Sequence, residues 1–596
     1  MDKRTQLAVI MIALILGGQL SFSAYQQKKR AEAARVRHAA QVADSLAVLA
    51  SQPPPAAPVA AAVPATTGNP AAAPAVTPTT GAAIFPTATA EDGEWIVETP
   101  LQRIRIGRAG AVLREIALQK YKVYDDGPVN LAPAPVAGHE ERAALGLRLK
   151  SALGETNINN ARFEAVAANV DAQGVLHVAA GGGPQSLTLR AEAQGGGAVI
   201  KKFTFDPARY DFTVDVQFEP GAGMPARIDG YTLEWTTGMP MTESNQKEDQ
   251  TRMRTVVALD QEQLRKRPGD FRKQPNATGS GTIHWASLQT KYFMVGLIPA
   301  QPFPGTTEIT GDSKAHWMGL TLSNSTPGRG VNSYRVYAGP IIFDDVRALG
   351  AGLESTVELG YRWIRPISSA LAHFLAFLNR FIPNYGIVII IVSVLAKLIF
   401  WPLTEKSFTS MRRMQELQPR MEEIRKRYKD DPKGMNEQMM LMYKDQKVNP
   451  VGGCVPMLVQ MPMFFALFSA LQSSIQLRNA PFFGWIDNLA GPDQLFRFPM
   501  TLPLLGDHFS LLPILMGGAM MWQSHLTPAA MGGGGAQAGA MAQQQMLMKY
   551  FMPIMMTVFF YRMPSGLVVY WIVTTLMSIW QQTHINRKFA LARARA

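Results

Sequence analysis

The feature that most constrains this chain is a series of apolar segments in its last third, broken by one strongly charged loop. The segments are Tyr385–Leu403, Val455–Ile475, Phe509–Gln523, Tyr550–Tyr561 and Ser565–Trp580. Between the first two, residues 404–450 hold 11 basic and 8 acidic side chains. A soluble core cannot hide that much uncharged helix, so the pattern predicts a polytopic membrane region. Over all 596 residues, only 17% are charged, against about 25% in ordinary soluble domains. The net charge is +13. A basic chain normally raises nucleic acid as a partner, but here the surplus flanks apolar runs, as positive-inside topology requires. The tail adds Arg587, Lys588, Arg593 and Arg595 with no acid. The 404–450 loop and the tail 587–596 are therefore placed in the cytoplasm.

A sixth apolar run, Leu7 to Phe22, follows Lys3 and Arg4. A cleaved signal peptide and a retained anchor are both open, since Ser21-Phe22-Ser23 offers small residues around a cleavage point. The anchor reading gives six spans, with residues 1–24 as the first and both termini cytoplasmic. Residues 25–90 become rich in Ala, Pro and Thr, with Pro53-Pro54-Pro55 and repeated Ala-Pro steps. Such a tether is extended and semi-rigid.

Residues 91–350 carry 28 basic and 29 acidic side chains and read as β. Phe212-Thr213-Val214-Asp215-Val216-Gln217-Phe218 alternates strictly, as do Tyr231–Trp235 and Val199–Phe205. Short alternating strands between Gly/Pro turns predict a large antiparallel sandwich on the exported side. With Cys454 as the single cysteine, its core alone must stabilise it. Residues 351–383 then switch to helical period. Ile364, Ile367, Leu371, Phe374, Leu375, Leu378 and Ile382 oppose Arg365, Ser368, His373 and Arg380. This predicts an amphipathic helix in the membrane interface, with a soluble helix against the β domain as the alternative.

Within the last region, 384–596, Lys397 stands out. It lies inside an apolar span, and an intramembrane lysine costs roughly 2.5–3.5 kcal/mol on insertion scales. It therefore either faces a wet cavity or snorkels to the headgroups. Ser393 one turn before it, with Gln460 and Thr557 in neighbouring spans, suggests a hydrated groove around it, although Gln460 and Thr557 each alone read as interhelical glue. The 404–450 loop reads as a helical hairpin, with Met411, Met414 and Met421 on one face and Met439 on the returning helix. Methionines of this kind suit adaptable apolar binding, although they fill ordinary cores as well. The loop 526–548, with Gly532 to Gly535, reads as flexible. There is no HExxH, no GxxxxGK loop, no CxxC and no GxSxG elbow. Nothing therefore points to a cofactor, a metal or an enzyme.

Several stretches carry a family resemblance. Pro402-Leu403-Thr404, Lys447-Val448-Asn449-Pro450-Val451-Gly452-Gly453-Cys454-Val455-Pro456, Gln460-Met461-Pro462 and Phe464-Phe465-Ala466-Leu467-Phe468 occur in order, followed by Phe559-Phe560 and Met563-Pro564-Ser565-Gly566-Leu567-Val568-Val569-Tyr570-Trp571. This set resembles the YidC family of membrane protein insertases. The resemblance implies a polytopic α-helical membrane core of six spans with a large all-β periplasmic supersandwich, galactose-mutarotase-like, in the bacterial inner membrane. It implies insertion of nascent membrane proteins without nucleotide hydrolysis, alone or with the Sec translocon, through a groove open to cytoplasm and lipid. It also places Tyr570 and Trp571 in that groove. The family usually carries arginine where this chain has Lys397, which keeps the charge and loses the bidentate fork. The basic tail is a candidate ribosome contact. A solute transporter or channel built on the same buried lysine is the alternative function, and a sugar-active β domain is a third reading.

Overall fold

The computed structural model describes residues 84–595, apart from 90–91, 124–126, 135–138, 140, 153, 169, 226, 244–245, 326–330, 359, 361–362, 429–430, 447, 449–454, 503–505 and 527–546. The N-terminal span, nearly all of the Ala/Pro tether and the glycine-rich loop lie outside the described residues.

Nineteen strands between Glu94 and Pro340 hydrogen-bond into one continuous sheet system. Its pairings are antiparallel, except that Glu94–Glu98 runs parallel to Val175–His177. The alternating residues supply the core. Phe212, Val214 and Val216 are buried along Asp211–Glu219. Phe203 pairs with Val214 on one side, and Val336 pairs with Phe212 on the other. Asp211–Glu219 thus buries one face because its apolar residues recur at period two, whereas Arg254–Leu259 and Phe293–Pro299 are buried on both.

Charged residues break that alternation at two places. Glu234 is buried although alternation points it outward; it accepts a hydrogen bond from Asn159 at 2.9 Å and pairs with Arg148 at 2.5 Å. Lys201 is also fully buried, and its Nζ donates to the carbonyls of Gly110 (2.8 Å) and Leu145 (3.0 Å). Leu145 and its neighbour Ala111 both hold positive φ, at 62° and 45°, a conformation that costs a residue with a Cβ. The ammonium satisfies the carbonyls of this strained corner. Burial pushes its pKa down to about 7, while the charge on Glu234 works upward.

Helix α1 (Gln246–Arg252) lies within the strand series and α2 (Phe343–Ala348) closes it. The helical region contains α3 (Arg365–Asn379), α4 (Tyr385–Ile399), α5 (Trp401–Glu416), α6 (Gln418–Arg427), α7 (Pro432–Asp445), α8 (Val455–Ser473), α9 (Leu512–Leu526), α10 (Met552–Phe560) and α11 (Ser565–Arg595). A two-stranded hairpin, Phe496–Leu502 with Gly506–Phe509, precedes α9. Among the described residues no single helix is long and apolar enough to cross a membrane, but α4 and α5 together pass that test as a pair bent by 61°.

Helix α3 buries a narrow stripe, Ser368, Leu371 and Leu375, and packs on α8. Ile367, Phe374, Phe377 and Phe381 remain exposed. Ser368, read as part of the polar side, lies on the buried stripe, where its small side chain permits close helix packing.

The β domain meets the helices through charges as well as through apolar packing. Arg478, just past α8, donates from Nε to Glu243 at 2.7 Å and from Nη2 to the Thr242 carbonyl at 3.0 Å. Its guanidinium also lies over the Phe293 ring. Nearby, Arg252 bridges Glu358 at 2.6 Å and the α8 residue Gln472 at 2.5 Å, and Arg254 also pairs with Glu358. Burial works to raise the Glu358 pKa, yet the two guanidinium groups hold it below the usual carboxylate range.

Candidate functional site

The site is built around α4. Its first turn is fixed at the N-cap, where Asn384 accepts from the Ile387 amide at 3.2 Å and donates to the Phe482 carbonyl at 3.0 Å. Gly386 sits in that turn against the Phe482 ring; a Cβ there would lie 1.9 Å from a ring carbon. At the other end the helix breaks at Phe400, two residues before Pro402, which has no N–H to continue the ladder to the Leu398 carbonyl. Lys397 falls on the last turn before the break and is 5% exposed.

A cavity opens at the break. Ala396, Lys397, Phe400, Leu403 and Thr404 line one side, Gln460 and Met463 of α8 another, and Tyr570 and Thr574 of α11 a third. Its volume is about 10 Å³, room for about one water molecule, and it is partly open to solvent. Tyr570 is buried, and its hydroxyl interacts with the Gln460 side chain. Thr574 donates to the Tyr570 carbonyl at 3.0 Å. The lining is thus mostly apolar, with one cation and a few hydrogen-bonding groups, which is the composition of a site that accepts a polar segment beside an apolar one.

Two models of known families match the chain: the YidC periplasmic domain over residues 94–374 and the 60Kd inner membrane protein over residues 377–592. The membrane protein insertase YidC of Syntrophus aciditrophicus is 30% identical over 539 residues, covering 90% of this chain and 92% of its own length. That of Geobacter metallireducens is 32% identical, covering 88% and 90%. The chain belongs to the YidC family of membrane protein insertases. It combines a YidC periplasmic β domain with an inner-membrane helical region and sits with insertases rather than with enzymes. A crystal structure described as an active YidC insertase with its first transmembrane domain resolved is 17% identical, with a TM-score of 0.32, covering 83% of this chain and 94% of that one.

Of the residues singled out for a YidC groove, Lys397, Gln460 and Tyr570 meet at the cavity. Ser393, Thr557 and Trp571 do not line it. Ser393 lies one turn before Lys397 and donates back to the Ile389 carbonyl at 2.6 Å. Thr557 donates to the Pro553 carbonyl at 2.9 Å and packs on Gly517 of α9. Trp571 stacks edge-on against Phe464 at 5.1 Å and belongs to an aromatic cluster with Phe560. The sequence places Thr404 at a loop boundary and Phe400 and Leu403 in an undistinguished apolar run, yet all three line the cavity. The signal that could have marked them is Pro402, which breaks the helix and so turns the residues around it toward the cavity.

In the hairpin of this YidC chain, Met414 is buried with Leu417 and Val448 in a small cluster of its own. Met421 is buried too and lies 3.8 Å from the Tyr443 hydroxyl. Met411 and Met439 are half-buried, while Met440, which the face reading omitted, is 65% exposed. The charged segment begins as a helix at Trp401 rather than at residue 404. In the tail, Arg587 and Lys588 are exposed on α11, and Lys588 pairs with Glu405 of α5 at 3.5 Å. The side chains of Arg593 and Arg595 lie outside the described residues.

Proposed function

We propose that this chain moves hydrophobic segments of nascent membrane proteins from the cytoplasm into the inner membrane, with the cavity around Lys397 receiving the segment's polar flank. The observation that carries this reading is a buried lysine in an apolar helix, opening at a helix break into a cavity that also holds Gln460 and Tyr570. A charge so placed stabilises a polar flank inside an otherwise apolar wall, and burial of the apolar segment in lipid supplies the driving force. The client leaves sideways, so no nucleotide is needed.

The topology that fits has six spans, both termini in the cytoplasm and the β domain, folded as a supersandwich, in the periplasm. Several helices are short for this role. The 9 residues of α10 reach only about 14 Å at 1.5 Å each, against a hydrocarbon core near 30 Å. Short spans thin the bilayer locally and lower the cost of moving a polar flank through it. The exposed apolar face of α3 lies in the lipid interface beside them. Trp571 backs the groove from behind, packed on Phe464 and Phe560, while Ser393 and Thr557 hold its helices.

Partners follow from the same placement. The hairpin presents half-buried Met411 and Met439 to clients on the cytoplasmic side, with Met414 and Met421 as its core. Arg587, Lys588, Arg593 and Arg595 meet ribosomal phosphate, and the Sec translocon shares a subset of clients. Deleting residues 587–596 should lower ribosome co-sedimentation at low salt, as counterion release requires; unchanged co-sedimentation would leave the tail with topology alone.

The deciding experiment uses purified full-length protein in liposomes without ATP. A small apolar protein should become protease-protected well above the level in protein-free liposomes. No excess protection, or leakage of small solutes instead, would transfer the cavity to a transporter or channel.

A further inference from the structure

We infer that Gln581 is a positioning residue that locks the bend between α4 and α5 and thereby holds the cavity wall that presents Lys397. This rests on the groove reading above. Gln581 lines no part of the cavity and follows the last apolar run by one residue.

The need for a lock follows from the break itself. Pro402 has no N–H for the Leu398 carbonyl, so the ladder is interrupted there, and the bend this permits keeps one angle only if a neighbouring helix ties it. At this break the Thr404 amide donates to the Phe400 carbonyl at 3.0 Å. The Thr404 hydroxyl sits 3.1 Å from the Phe400 carbonyl and 2.9 Å from the Trp401 carbonyl. It has one proton to give and cannot serve both. Gln581 completes the set from α11. Its Nε2 donates one proton to the Trp401 carbonyl at 3.2 Å and the other to the Thr404 hydroxyl oxygen at 2.9 Å, which leaves the hydroxyl proton for the Phe400 or the Trp401 carbonyl. Gln581 has no exposed surface and Thr404 has 3%, so these bonds form where nothing competes for them.

The consequence reaches the cavity because Thr404, Phe400 and Leu403 are its wall. Fixing Thr404 to α11 fixes the 61° bend, and the bend sets how far the wall stands from Gln460 and Tyr570. Trp401 and Trp580 also touch here, with ring centroids 5.1 Å apart. If ring packing alone held the bend, Gln581 would be dispensable, and this is the alternative to be tested.

The full chain with Cys454→Ala is spin-labelled at Ile387→Cys on α4 and Arg413→Cys on α5, both exposed positions, and placed in lipid vesicles. Inter-label distances are measured by pulsed electron resonance, and insertion of an apolar client by protease protection. Gln581→Leu should broaden the distance distribution and slow insertion about fivefold, the size expected for loss of a buried hydrogen bond. If Gln581→Leu does not fold, Gln581→Asn, one methylene short of the Trp401 carbonyl, should shift both readouts the same way. A distance distribution as narrow as the parent's would overturn the lock, as would a broadened one with unchanged insertion. Lys397→Leu, run in parallel, judges the groove separately: normal insertion there overturns the groove reading, whereas the label distances still decide the lock.

Discussion

Lys397→Leu should reduce insertion of clients with acidic flanks roughly tenfold, Lys397→Arg should preserve it, and Lys397→Glu should be the most damaging. The order follows from charge alone. Attraction between a fixed cation and one client carboxylate at about 4 Å runs from roughly 1 kcal/mol in water to roughly 4 kcal/mol near a protein surface. Tenfold corresponds to about 1.4 kcal/mol, at the low end of that range. Arginine keeps the charge and adds a fork that a single carboxylate does not require. Glutamate changes attraction to repulsion. Clients with neutral flanks should respond least, because apolar burial drives their entry. Thermal stability separates this from misfolding: leucine removes an intramembrane charge and should leave the melting temperature unchanged or higher. The measurement is insertion of matched clients, differing only in flank charge, into liposomes at equal protein levels. A flat response across leucine, arginine and glutamate would return Lys397 to a snorkelling role.

The sequence identified Lys397 because a charge within an apolar run is conspicuous, but it could not separate Lys397 from Ser393. The two are four residues apart on one helix face, and both are buried. A serine can return its hydroxyl to the carbonyl one turn back, as Ser393 does to Ile389, and so needs no polar surroundings. A lysine cannot satisfy itself in this way. Strand alternation located the β domain through Phe212, Val214 and Val216, yet it could not foresee buried Glu234 and Lys201. Those depend on Arg148, Asn159 and two distant carbonyls that only the fold brings near. Gln581 escaped notice for a related reason. A glutamine beyond an apolar run looks like an interfacial residue until the bend at Pro402, far away in sequence, brings the Thr404 hydroxyl and the Trp401 carbonyl against it.

Arg478 is the centre of the junction between β domain and core. Its side chain is 3% exposed and that of Glu243 is 13% exposed. Removing one partner of such a buried pair typically costs about 3–5 kcal/mol, because the other charge stays buried and unpaired. Glu243→Leu should therefore destabilise the full chain by about that amount, read as a lowered melting temperature with impaired insertion. Excision of residues 91–340, with 351–382 retained, should do less harm. The Glu243 carboxylate, the Thr242 carbonyl and the Phe293 ring that surround Arg478 all leave with the excised domain. Arg478 is then hydrated rather than stranded, and the cavity at the α4 break loses none of its lining residues. The excised protein should insert clients at near the parent rate, provided α3 keeps its buried stripe on α8. Glu243→Leu combined with Arg478→Leu should recover most of the lost stability, since no charge then remains buried. Loss of insertion on excision, at normal expression and topology, would give the β domain a direct part in insertion. A harmless Glu243→Leu would mean that water reaches Arg478 and that the junction is held by apolar packing.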